Sequence, residues 1–81
     1  MQRDELDAQL LEAHAEADTG ALVCLYTLAG DQSEASGDID AACFYLTHAF
    51  VFALESGFPQ ADPLNKRLAD RGRAHRLSFD G

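Results

Sequence analysis

The sequence predicts an all-α fold, a four-helix antiparallel helical-hairpin domain, and three observations predict it. Apolar residues recur at the spacing of one helical face in four successive segments. Breaks at Thr19-Gly20, Gly37-Asp38 and Gly57-Phe58-Pro59 supply the caps and turn formers that separate helices. No run shows the strict apolar-polar alternation of a half-buried strand.

The first segment runs from about Asp4 to Ala17. Leu6, Leu10 and Leu11 join Ala13 and Ala17 in one apolar stripe, and Asp4, Glu5 and Asp7 suit a positive helix N-terminus. The second begins at Asp18 or Thr19, either of which can cap it, and places Leu22, Leu25, Tyr26 and Ala29 on one face before a polar end from Asp31 to Ser36. Asp38 caps a third helix that ends at Ser56, because Gly57 can take the left-handed conformation of a C-terminal cap. One of its faces carries Ile39, Ala42, Cys43, Leu46, Ala49, Phe50 and Ala53, while Phe44, Tyr45, Val51 and Phe52 extend the apolar surface round much of the circumference. Such a helix needs neighbours on more than one side. The fourth starts at Asp62-Pro63, carries Leu64 and Leu68 inward and Lys66, Arg67 and Arg71 outward, and stops at Gly72.

Composition narrows the function. Of 81 residues, 47% are apolar and 25% charged, which suits a folded chain. The net charge of −8 is uneven: residues 1 to 62 carry twelve acids against Arg3 alone, and the rest carry five bases against Asp70 and Asp80. An acidic body repels phosphate, so no nucleic-acid ligand is expected. The longest apolar run, Ala41 to Leu54, contains Thr47 and His48 and is shorter than the roughly 20 residues that cross a bilayer, so no membrane span is expected. Cys24 and Cys43 lie in apolar helical runs as small buried hydrophobes, and the chain opens on Gln2, Arg3, Asp4 and Glu5 without the pattern of a signal peptide. A cytoplasmic location is the expectation.

The second and third helices resemble a tetratricopeptide repeat, a helix-turn-helix unit of about 34 residues. Tyr26 stands where that family has an early aromatic, Gly30 is the small residue at the close helix contact, and Gly37-Asp38 matches the turn. Ala42, Leu46 and Ala49 follow at the spacing of its small, bulky, small face. Ala29 replaces the usual leucine, Ser33 the usual aromatic, and the closing proline arrives late as Pro59. The segment Ala53-Leu54-Glu55-Ser56-Gly57 with Ala61 is similar to the junction of the Sel-like branch. The resemblance implies a scaffold for protein contacts. Residues 1–72 form a single helical repeat-like domain on this reading, and residues 73–81, without sustained period, a loose C-terminal tail.

Little here suggests chemistry. His14, His48 and His75 fall on three segments with no second ligand one turn away, no phosphate-binding glycine loop occurs, and no catalytic residue, cofactor or metal is expected. Glu5, Asp7, Glu12, Glu16 and Asp18 read as a solvated band, and Lys66, Arg67, Arg71, Arg73 and Arg76 as a cationic end that pairs with the acidic body. The function expected is a non-catalytic protein-protein interaction module with a protein partner, self-associating as a homodimer through Phe44, His48, Val51 and Phe52. An acidic adaptor or inhibitor docking a basic partner is the alternative, and a small enzyme or metal-binding protein using histidine the second.

Overall fold

The computed structural model describes residues 3–73. They form α1 (Arg3–Ala15), α2 (Thr19–Ala35), α3 (Ile39–Ser56) and α4 (Ala61–Asp70), with no strand among the described residues. The proposed tail lies outside them from residue 74 onward.

One turn ends every helix. Ala17, Gly37, Gly57 and Gly72 all have positive φ, at 52°, 81°, 70° and 71°. Each is flanked by the same pair of hydrogen bonds: Ala17 N–H donates to the His14 carbonyl and Asp18 N–H to Ala13, while Gly37 and Asp38 repeat this on Glu34 and Ser33, and Gly57 and Phe58 on Leu54 and Ala53. These are Schellman closures, which satisfy carbonyls a helix end would leave bare. Asp18 and Asp38 then start the next helix alike, each carboxylate accepting from the backbone N–H three residues on, Ala21 and Ala41, at 3.1 Å.

Two boundaries differ from the sequence expectation. The first break falls at Glu16 to Asp18 and leaves Gly20 inside α2, because Ala17 takes the left-handed position without a glycine. Helix α4 begins at Ala61, one residue before the expected cap, and Gln60 gives it no side-chain cap. Pro63 is then its third residue, where a missing N–H still costs no intrahelical bond.

Successive helices pack in order, α1 on α2, α2 on α3 and α3 on α4. Each pair is antiparallel: Tyr26 meets His48 and Phe52 while Gly30 meets Leu46 and Ala42, and His14 meets Tyr26. Helix α2 divides two cores. Val23 joins Cys43, Leu46, Ala49 and Ala53 of α3 and Ala61, Leu64 and Leu68 of α4. Leu22 and Ala29 join Leu6, Leu10 and Ala13 of α1. Tyr26 and Phe52 border both. At Gly30 the α2–α3 seam closes, since a Cβ there would lie 2.7 Å from Leu46 Cγ and Cδ2 and 3.3 Å from the Ala42 carbonyl oxygen. Leu11, expected in the α1 stripe, is 72% exposed instead. Helix α1 packs along α2 and reaches α3 chiefly through side chains such as His14 against Phe52, which buries Leu6, Leu10 and Ala13 and leaves Leu11 uncovered.

Candidate functional site

The described residues span only 13 Å along their shortest axis, against 36 and 30 Å along the others. A slab so thin leaves part of α3 outside. The four residues expected to form one stripe divide there into two pairs. Phe44 and Val51 point outward, 58% and 42% exposed, with Leu54 exposed beside them. His48 and Phe52 turn inward on Tyr26, at ring-centroid separations of 5.1 and 6.0 Å and near-parallel planes. The reason is angular, because Phe52 and Tyr45, seven residues apart, fall on the flank of α3 nearest α1.

Tyr26 is the centre of this aromatic group. Its hydroxyl shares a 2.8 Å hydrogen bond with His14 Nε2, and the His14 ring stands edge-on to Phe52 at 6.0 Å. Burial first, then the neighbouring Tyr45 hydroxyl, raises the Tyr26 pKa above its ordinary value. His48 Nδ1–H donates to the Phe44 carbonyl at 2.9 Å, which places the neutral ring's lone pair on Nε2, and Phe44 packs on the same ring at 4.5 Å. The His14–Tyr26 bond joins two helices of a hairpin and was not legible in the sequence; the nearest signal is the placement of the two residues on either side of the first turn.

Between Asp40 and Glu55, α3 carries no charged residue, and Asp40 is itself paired with Arg73. The exposed aromatic face is therefore an uncharged window on an acidic molecule. Beside it a shallow hollow of about 450 Å³ is lined by Asp40, Cys43, Phe44, Thr47, His48 and Arg73.

The remaining expected residues are placed as follows. Ala42, Leu46 and Ala49 have no exposed surface, and Tyr26 and Gly30 lie in the seam they line. Cys43 is buried, whereas Cys24, expected to be buried, is exposed, because α2 turns Val23 rather than Cys24 to its neighbours. Arg67, expected on the outer side of α4, reaches back to α2, where its guanidinium donates to Asp31 and Glu34 at 2.6 Å each. Arg71 adds a 3.3 Å contact to Glu34, and Lys66 pairs along α4 with Asp70. The Arg67 hydrogen bond, reinforced by attraction to Arg67 and Arg71 against a smaller burial effect, holds the Glu34 carboxyl below its ordinary range. Asn65, which sequence reasoning did not single out, is fully buried in α4, and no buried side-chain polar atom among the described residues lacks a partner. His75 and Arg76 lie outside the described residues.

Among the described residues no group of three or more His, Cys, Asp or Glu side chains could hold a metal ion, and no helix is long and apolar enough to cross a membrane. The class of protein these features define is an all-α four-helix bundle with an uncharged aromatic face. Comparison with models of known protein families, with curated proteins and with solved structures finds no match.

Proposed function

We propose that this chain is a non-catalytic protein-interaction module that pairs with a second copy of itself through the outer face of α3. The observation that carries the reading is the exposure of Phe44 and Val51 within the uncharged run of α3, on a chain of net charge −8. Large apolar side chains grouped on a surface favour association. The net acidity of two copies favours contact at a patch where neither presents a carboxylate. A two-fold axis through this window brings apolar surface against apolar surface and covers both copies at once.

A tetratricopeptide-like, repeat-built scaffold underlies the proposal. It is supported by Gly30 seated against Leu46 and Ala42, and by turns recurring every twenty residues at Ala17, Gly37 and Gly57. Two such units make a hairpin of forty residues, longer than the tetratricopeptide unit of about 34. The resemblance therefore rests on the residue pattern in the α2–α3 seam and on the turn, and not on the period.

Light scattering tests the pairing. The wild type should be a dimer at tens of micromolar, on the order of the concentration at which a micromolar dimer persists. Phe44→Glu and Val51→Glu should each give a monomer with undiminished helix content. Phe52 is a poor test site, because it borders both cores and a charge there unfolds the protomer. A monomeric wild type at that concentration overturns the proposal.

A further inference from the structure

The outer face of α3 carries more order than exposure alone requires. From Ile39 to Leu54 its exposed residues are Asp40, Phe44, Thr47, Val51 and Leu54, and they stand four, three, four and three residues apart. That is the spacing of a coiled-coil seam, the line along which one helix packs lengthwise on another. Thr47 fits the line, because its hydroxyl donates to the Cys43 carbonyl at 2.7 Å and needs no partner from outside.

The hollow beside Phe44 has the matching form. In such a seam each entering side chain is held by four residues of the facing helix, at i, i+3, i+4 and i+7. Asp40, Cys43, Phe44 and Thr47 stand at those four positions, and all of them line the hollow, together with His48 and Arg73. The face therefore offers both a knob, Leu54, and a socket for one.

Resting on the pairing proposed above, we infer that the two copies of α3 lie antiparallel, with Leu54 of each seated in the hollow beside Phe44 of the other. The stripe fixes the register. With Phe44 on Leu54 of the second copy, Thr47 falls on its Val51, and the run from Phe44 to Leu54 is covered from end to end in both copies.

Charge selects the direction. Glu55 is exposed beside Leu54 and has no ion pair among the described residues. A parallel pair would set Glu55 against Glu55 and Asp40 against Asp40, and like charges face to face disfavour a complex. The antiparallel pair instead carries Glu55 to the hollow of the other copy, beside Arg73 and His48. A guanidinium has five donors, so Arg73 can hold Asp40 and still receive a second carboxylate.

Disulfide trapping reads the register. Thr47→Cys and Val51→Cys are made separately in a chain carrying Cys24→Ser and Cys43→Ala. Mixed and mildly oxidised, the two variants should form a covalent dimer at least about tenfold faster than either alone, because only positions 47 and 51 meet across the antiparallel seam within disulfide reach. In the otherwise unaltered chain, Glu55→Gln should weaken dimerisation by about two- to fivefold in sedimentation, relative to Glu12→Gln, which removes the same charge from α1. Covalent dimers forming as fast in each variant alone, or a Glu55→Gln dimer tighter than that of Glu12→Gln, would overturn the antiparallel register while a dimer in light scattering still upheld the pairing. A monomeric wild type, with a different protein or residues 74–81 of this chain taking the hollow, overturns both.

Discussion

The two flanks of α2 are built from the same kinds of residue and finished differently. Toward α3 and α4 the core is deep, with Leu46 and Val23 at 0% and 1% exposure, and the acids above it are tied to arginines. Toward α1 the core is shallow, with Leu10 at 9%, and the acids of α1 have no ion pair among the described residues. The difference follows from neighbours. Helix α3 packs along both α2 and α4, whereas α1 packs along α2 and meets α3 only through side chains such as His14 against Phe52. One flank is closed by packing and ion pairs, and the other keeps an open hollow lined by Leu6, Leu10 and Tyr45.

Truncating one leucine from each core measures that contrast. Leu46→Ala should cost about 2 to 5 kcal/mol, toward the upper end because nothing can collapse into a site closed on all sides. Leu10→Ala should cost less, since water reaches its edge and the helix can relax. Equal losses in chemical denaturation would mean the two cores are equally tight.

The seam between α2 and α3 offers the next largest effect. Ala42→Leu should destabilise by about 1 to 3 kcal/mol through overpacking, and Gly30→Ala should do so despite its gain in helix propensity. Because the added methyl at Gly30 meets Leu46, the cost of Gly30→Ala should shrink or reverse in a Leu46→Ala background. Additive losses across that double-mutant cycle would show that the seam is not closed by this contact.

A change on the α1 side should narrow the gap between the flanks. Ala17 holds a left-handed conformation that costs an L-residue about 1 to 2 kcal/mol, where the two following turns use glycine. Ala17→Gly should raise the midpoint of thermal unfolding by the equivalent of about 1 kcal/mol. A lower midpoint would mean that the entropy of the added glycine outweighs the relieved strain.

The smallest effect concerns the charges on the other flank. The folded chain holds the Glu34 carboxyl below the ordinary value of 4.5, so Glu34 contributes stability above that pH and loses it as pH falls through the lowered value. The contribution is under about 1 kcal/mol, since the pair is screened by solvent. Thermal scans from pH 7 to 3 should show wild type and Glu34→Gln converging in acid, with the gap at neutral pH reduced by salt.

What the sequence made legible was local chemistry. Asp18 and Asp38 as caps, Gly37 and Gly57 as turns, and Ala42, Leu46 and Ala49 as a packed face are all read from neighbours within one turn of a helix. What it hid depends on which side of a helix another helix lies. Leu11 and Cys24 look buried by spacing alone, but no element covers them. A hollow between the helices was hidden for the same reason: Asp7 reads as one of a solvated band and Tyr45 as general apolar surface, yet both line it with Leu10 and Ala29. Ala17 escaped notice because an alanine gives no sign that its backbone is left-handed.

The unequal placement of the two cysteines gives the molecule a clock. Cys24 is exposed, so it reacts with a thiol reagent without waiting for the fold to open and marks one fixed point on α2. Cys43 is buried at the base of the hollow beside Phe44 and waits on local motion of the side chains above it. The ratio of the two rates, set against that of the unfolded chain, follows how often the cover over Cys43 lifts in native buffer.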